Sequence, residues 1–342
     1  MNIPQPYLIF LGDVDNALDA KTGFGLVHWR PQLCLAQRRL PGCRVDLGIP
    51  DMSPAEARAA GARALVIGVA PFGGAISPTW VEAITAALDA GLDVASGLHT
   101  RLASIPAIAE AARRNARSLF DVRSPGRAFD VGSGRKRSGL RLLTVGTDCA
   151  VGKKYAALSI VQEMLRRGLQ ATFRATGQTG ILISGSGVAI DAVVADFVAG
   201  AAEALSPDND PRHWDIIEGQ GSLFHPAYAG VSLGLLHGSQ PDAIVVCHDP
   251  RRPHIDGYPS FAVPGLRQCI DANLKAAHLT NPAARCVGVA LNTSALDPAA
   301  RERFLSDTAA SLNVPCFDPI ATGACGLVAA LIASGEPAAA CV

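Results

Sequence analysis

Residues 141–158 read RLLTVGTDCAVGKKYAAL, and the way this stretch divides decides the fold. Residues 142–145 form a short apolar run of the strand kind, Gly146 opens a turn, and Gly152 and Lys153 stand just before an apolar helical pattern. Strand, glycine turn and helix start, in that order, are the layout of a phosphate-binding loop, in which backbone N–H groups at a helix N-terminus surround a phosphate. The loop departs from the usual pattern at one residue. Where a Ser or Thr hydroxyl would hold Mg²⁺, the chain has Lys154. An ammonium cannot ligate the metal and repels it while still attracting phosphate oxygens; alternatively Lys154 points to solvent and a weaker metal site survives. The first reading disfavours transfer of a γ-phosphoryl group, which needs Mg²⁺, and suits a cofactor that carries phosphates as a handle, such as coenzyme A. The expected cofactor-binding residues are Gly146, Thr147, Asp148, Cys149, Val151, Gly152, Lys153 and Lys154, with backbone N–H groups from Cys149 to Lys153 doing the wrapping and no metal.

Working outward from this loop, the chain alternates strands and helices on both sides. Towards the N-terminus, strand-like runs at 7–12, 64–70, 92–98 and 118–122 alternate with helical patterns at 78–90 and 104–116. Towards the C-terminus, runs at 171–176, 215–219, 243–249, 286–292 and 314–319 join 140–146 as six strands, separated by helical stretches. Such alternation implies parallel sheets covered by helices. Between the halves, residues 123–139 are rich in Gly, Ser, Pro and Arg and lack periodicity. The expected architecture is α/β: an N-terminal Rossmann-like parallel-sheet domain at 1–130, a linker at 131–139, and a C-terminal P-loop-like, doubly wound α/β domain at 140–342. The basic run Arg135, Lys136 and Arg137 reads as solvated linker or as a contact for a phosphate tail.

Composition narrows the function classes. With 30 basic and 30 acidic residues among 342, the chain has no charge excess to favour nucleic acid as a partner. No run approaches the length of a membrane span and no signal-peptide pattern opens the chain, so the expected location is the cytoplasm. The nine cysteines include no Cys-x-x-Cys and no zinc-type spacing, and read as reduced thiols. A mean hydropathy of +0.24 points to a homo-oligomer, a dimer or larger.

Chemistry-bearing residues cluster in three further stretches. In residues 214–238, Glu218 follows two isoleucines at a strand end, where α/β sheets present acids to a ligand. It reads as a second-site metal ligand or, without metal, as a general base; His225, in a nearby loop, reads as the rival base or as a structural histidine. In residues 173–187, Arg174 and Thr176 lie on a strand and Gln178 on a small-residue loop. Arg174 reads as the partner of a substrate carboxylate or as an interdomain ion pair. Asp191 and Asp196 fall on an apolar helical stretch, facing the site or capping. In the first half, Ser96, His99 and Arg101 follow a strand where a parallel sheet forms its ligand crevice, with helix capping as the other reading of His99.

The stretches GTDCAVGKK, IIEGQGS and ALNTS together resemble the nucleotide-binding core of the dethiobiotin synthetase superfamily, which implies a base-reading role for Asn292. Over nearly the whole chain, QPYLIFLGD, WRPQLCLAQRRLPGCRVDLGIPDM, ASGLHTRL, LLTVGTDCAVGKKY, FRATGQTGILISGSG and DIIEGQGSLFHPAYAGVSLGLLHG resemble the bacterial D-glutamate N-acetyltransferase family. That resemblance implies transfer of an acetyl group from acetyl-CoA to the amine of D-glutamate, in D-amino-acid catabolism. Glu218 or His225 would then take a proton from the amine. Arg174, Thr176, Gln178, Ser96, His99 and Arg101 would bind the substrate. The alternative implied by the more distant resemblance is an ATP-dependent ligase or kinase acting on a small carboxylate.

Overall fold

In a computed structural model of the chain, residues 3–70, 74–124 and 126–333 are described. The chain divides into two compact units: residues 1–126 with 178–189, and residues 127–177 with 190–342. The expected division at 130 therefore falls a few residues earlier, and a short piece of the expected second domain belongs to the first unit. Cys341 lies outside the described residues, and the other eight cysteines are thiols.

The first unit carries β1 (Tyr7–Gly12), α1 (Lys21–Trp29), β2 (Cys34–Arg39), α2 (Pro54–Ala59), β3 (Ala64–Ile67), α3 (Pro78–Asp89), β4 (Asp93–Ser96), α4 (Pro106–Arg114) and β5 (Leu119–Asp121). Its five strands run parallel in the order β2-β1-β3-β4-β5. All six residues of β1 are buried, which explains its unbroken apolar sequence: a strand covered on both faces has no polar side. The order reverses between β1 and β3, so the ligand crevice of this sheet lies at the C-terminal end of β1. There the Trp80 indole N–H donates to Asp13 Oδ1 (2.8 Å).

The second unit begins with β6 (Leu140–Gly146), α5 (Lys153–Arg166) and β7 (Ala171–Arg174). The helix that follows, α6 (Gln178–Ser184), joins the first unit. The Thr22 and Thr179 hydroxyls share a hydrogen bond (2.9 Å), and Arg30 Nε donates to Ile183 O (3.0 Å). This stretch was expected to be a loop. It is helical because its apolar residues Ile181, Leu182 and Ile183 are buried, which outweighs the low propensity of its Gly and Ser.

The second unit continues with α7 (Val198–Leu205), β8 (Trp214–Ile217), α8 (Ala229–Ser239), β9 (Ala243–His248), a hairpin of β10 (His254–Ile255) and β11 (Tyr258–Ala262), α9 (Leu266–Ala277), β12 (Arg285–Leu291), α10 (Pro298–Leu312), β13 (Cys316–Phe317) and α11 (Cys325–Ala333). Six parallel strands lie in the order β13-β12-β9-β6-β8-β7. Leu142, Ile216, Val245 and Val287 on the strands pack with Ile160, Met164 and Leu331 on helices as one core. Asp191 and Asp196 fall on single 3₁₀ turns, not on a continuous helix.

The stretch expected as a linker is built into the second unit. Arg135 pairs with Asp208 (2.5 Å) and Lys136 with Asp242 (2.6 Å). Arg137 is buried and donates to Gly238 O (2.8 Å) and Ser239 O (3.1 Å), the carbonyls that end α8. A cation at a helix C-terminus satisfies carbonyls that have no partner within the helix. Arg137 is thus engaged in folding, while Arg135 and Lys136 form exposed ion pairs on the surface of the unit. No helix among the described residues is long and apolar enough to cross a membrane.

Candidate functional site

Strand order fixes where a ligand can enter the second unit. β6 lies between β8 and β9, and the chain crosses to opposite sides of it, so the crevice opens at the C-terminal ends of these strands. The loop after β6 and Glu218 after β8 end there, as do His248 and Asp249 at and just after the end of β9 and Asn292 after β12.

The loop needs two left-handed residues, Ala150 (φ 51°) and Gly152 (φ 101°), to turn the chain into α5. Only glycine adopts the latter without strain. Lys153, 7% exposed, folds its Nζ back onto Asp148 O (2.7 Å). Burial pushes its pKa down, and the neighbouring Cys149 works against that. The N–H groups of Ala150, Val151, Gly152 and Lys153 make no hydrogen bond among the described residues. They form a row of donors of the kind that receives an anion. The N–H of Cys149, expected in that row, is instead turned onto its neighbour's carboxylate, Asp148 Oδ1 (2.6 Å).

Asp148 is a positioning residue. Its Oδ2 accepts from Arg252 Nη1 (3.1 Å) and from the N–H of Asp256 (2.9 Å). The β10–β11 hairpin region is thereby tied to the loop. Thr147 donates its N–H to Cys247 O (3.1 Å) and shares a hydrogen bond with His248 Nδ1 (3.0 Å). Asn292 donates to Asp249 Oδ2 (3.1 Å) and lines a cavity of about 180 Å³ with Pro250, Arg251, Ala295, Leu296 and Phe304. A mainly apolar slot with one amide at its edge suits a flat heterocycle.

Glu218 is 4% exposed. Its Oε2 accepts from the N–H groups of Thr176 (3.0 Å) and Gly177 (3.2 Å). The Thr176 hydroxyl donates to Glu218 O (2.5 Å) and accepts from Gln220 Nε2 (3.1 Å). Thr176, expected to meet the substrate, clamps the carboxylate instead. Burial pushes the Glu218 carboxyl up to about 7, against the pull of Lys154, the two N–H groups and Lys153. Lys154 is thus the positive charge that Glu218 feels most. The chain puts an ammonium opposite its acid, where a magnesium loop would have a hydroxyl.

The backbone beside Glu218 tolerates no side chain. A Cβ on Gly219 would lie 1.6 Å from Thr144 O, inside β6. Gly219→Ala is therefore expected to cost at least about 3 kcal/mol and to lower the melting temperature. Gly230→Ala in α8, where a Cβ meets nothing within 4 Å, is the control expected to leave stability unchanged or slightly raised. Equal melting curves for the two variants would contradict this packing.

His225 is buried, with its ring against Tyr228 (4.5 Å between centroids) and edge-on to Tyr258 (5.1 Å). Arg174 donates Nε to Asp215 Oδ1 (2.8 Å) on the neighbouring strand β8. That ion pair lies within one sheet and is not an interdomain bridge.

The remaining expected residues belong to the first unit. Ser96 is buried at the end of β4, its hydroxyl accepting from Leu98 N–H (3.1 Å), while His99 and Arg101 are exposed just beyond. Gln178, at the start of α6, meets Gly97: with its amide nitrogen donating to Gly97 O (2.9 Å), its oxygen accepts from Arg123 Nη2 (3.3 Å). Sequence reasoning missed Arg252 and Asp256. The available signal was the polar run 248–257, which directly follows a buried strand at the ligand edge of the sheet.

Comparison with known proteins agrees with this two-part layout. A domain of unknown function described as DUF1611_C, a P-loop domain, matches residues 130–328, and DUF1611_N, a Rossmann-like domain, matches residues 38–125. A D-glutamate N-acetyltransferase of Tritonibacter scottomollicae is 49% identical over 97% of this chain and 99% of its own. Another, from a Pseudoalteromonas species, is 46% identical over 97% of this chain and all of its own. The crystal structure of a DUF1611 family protein from Anabaena variabilis superposes with a TM-score of 0.88 at 34% identity, covering 96% of this chain and all of that one.

Proposed function

The chain belongs to the DUF1611 family, alongside the two D-glutamate N-acetyltransferases it matches over nearly full length, and from that premise we propose that it moves the acetyl group of acetyl-CoA to the amino group of D-glutamate. The observation that carries the donor assignment is the loop: four unengaged N–H groups and Lys153 for phosphate oxygens, with Lys154 where a magnesium loop has its hydroxyl. Coenzyme A brings phosphates without requiring Mg²⁺, and its adenine suits the slot beside Asn292. Glu218 is the base for the amine. A carboxyl raised to about 7 by burial can accept a proton from an ammonium and release it at neutral pH. His225 is a poorer base, because its Nδ1 accepts from Ala227 N–H (3.1 Å), which leaves the proton of the neutral ring on Nε2. It acts as a donor towards a developing oxyanion. The glutamate carboxylates fall to Lys154, which also acts on Glu218.

The test is release of thiol from acetyl-CoA with D-glutamate, L-glutamate or D-aspartate, each with EDTA or with Mg²⁺. Release that depends on D-glutamate and ignores EDTA is the expected result. ATP consumption that requires Mg²⁺, with no thiol released, would establish the ligase reading instead. The reaction belongs to D-amino-acid breakdown in the cytoplasm, carried out by a homo-oligomer; a Stokes radius of a single chain would contradict the last point.

A further inference from the structure

One cluster beside the loop has no part in holding phosphate. The Cys149 thiol, a ring nitrogen of His225 and a carboxylate oxygen of Asp148 all lie within 4.8 Å of one another, although His225 comes from the far side of β8 in the sequence. Such a trio has the composition of a metal site, but Asp148 is already committed. Its two oxygens serve the Cys149 N–H, Arg252 and the Asp256 N–H, and a cation would have to compete with the guanidinium. What remains is a half-buried thiol next to an imidazole.

The imidazole is held in one state. With Nδ1 accepting from Ala227 N–H and the ring against Tyr228 and Tyr258, its other nitrogen is a fixed N–H donor that makes no hydrogen bond among the described residues. The ring is 2% exposed, and its Nε2 N–H is open to a ligand. The thiol lies just before α5, and of the neighbouring charges Cys149 acts most on Lys153. The cluster thus sets a thiol beside an imidazole just before α5, the pairing that cysteine nucleophiles use.

We propose that Cys149 is the nucleophile of a two-step transfer, forming an S-acetyl enzyme that D-glutamate then converts to product. The inference rests on the acetyltransferase reading above. In the first step the Cys149 thiolate attacks the acetyl carbonyl of acetyl-CoA. A carbon–sulfur bond to Cys149 forms, that to coenzyme A breaks, and the electron pair leaves with the coenzyme A thiolate, so one thiolate replaces another. In the second step the ammonium of D-glutamate loses one proton to Glu218 and attacks the new thioester. The carbon–nitrogen bond forms, the second amine proton passes to solvent water as the tetrahedral species collapses, the carbon–sulfur bond to Cys149 breaks, and the Cys149 thiolate returns. His225 donates to the carbonyl oxygen in both steps.

The full-length enzyme mixed with acetyl-CoA alone, quenched in acid and weighed intact, should carry one acetyl group on the peptide containing Cys149. Adding D-glutamate should remove it as N-acetyl-D-glutamate. Labelled coenzyme A should also exchange into acetyl-CoA without D-glutamate, and Cys149→Ala should abolish exchange and lower turnover by at least about 1,000-fold. The exchange uses the unaltered enzyme, so it decides the matter even if the variant does not fold. Enzyme that makes N-acetyl-D-glutamate yet takes up no acetyl group and shows no exchange would overturn the covalent step and leave the acetyltransferase reading standing. Enzyme that makes no N-acetyl-D-glutamate at all would overturn that reading, and this one with it.

Discussion

Glu218→Gln is expected to lower kcat by about 10²- to 10⁴-fold while the KM for acetyl-CoA stays within about threefold, the pattern of a proton acceptor lost from an otherwise intact site. The substitution keeps shape. A glutamine oxygen can still accept from the Thr176 and Gly177 N–H groups that hold Oε2, so the clamp and the fold persist. In the parent enzyme turnover is expected to rise with pH and level off above about 7, because as the proposed base only the ionised carboxylate can accept the amine proton. In the variant that limb is absent. Stability moves the other way. The folded carboxyl titrates at about 7 and the unfolded one near about 4.3, so the native state holds the extra proton across that window. The stabilisation is complete below the unfolded value and is lost as pH rises through the folded one. Gln removes that loss, so melting temperatures of the two proteins should draw apart from pH 5 towards pH 8, with the variant ahead. Unchanged kcat would take Glu218 out of the mechanism.

Lys153→Ala is expected to raise the KM for acetyl-CoA by about 10- to 100-fold, on the scale of one charge-assisted bond of about 1.5–3 kcal/mol. The side chain is already inside the loop, bonded to Asp148 O (2.7 Å), and needs only to exchange that carbonyl for a phosphate oxygen. Its burial costs are met in the free enzyme, which is why its removal is read in donor binding. Dephospho- and phosphate-truncated donors should then discriminate poorly between parent and variant. A KM that does not move would sink the phosphate assignment.

The parts of this architecture legible in sequence are those set by local rules. β1 and β6 begin and end where their apolar runs do, because a strand buried on both faces announces itself, and the turn into α5 is written in Gly152. Other elements hide because packing overrides composition. β2 ends in Gln37, Arg38 and Arg39, α1 and α8 carry glycines, and α6 is only seven residues long; each is held by neighbours that its own sequence does not name. The site divides in the same way. Glu218 and the loop could be read from a strand end and a glycine turn. The clamp by Thr176, the tie from Arg252 to Asp148, and the meeting of Cys149 with His225 join residues distant in sequence, and no periodicity encodes such meetings. Arg174 illustrates the converse: its chemistry suggested a substrate, and an aspartate on the next strand had already taken it.

The path of the chain through α6 bears on how such a protein can change over generations. Because residues 178–189 lie within the second unit's sequence but belong to the first unit's body, no single cut in the gene yields two whole parts. A fragment ending at Gly126 lacks a helix, and the fragment from Arg127 onward carries that helix without the α1 surface that buries it. Recombination that swaps one half for a foreign partner would damage both. A single crossover thus separates α6 from the α1 surface it packs on, whereas substitutions made in place leave both units whole.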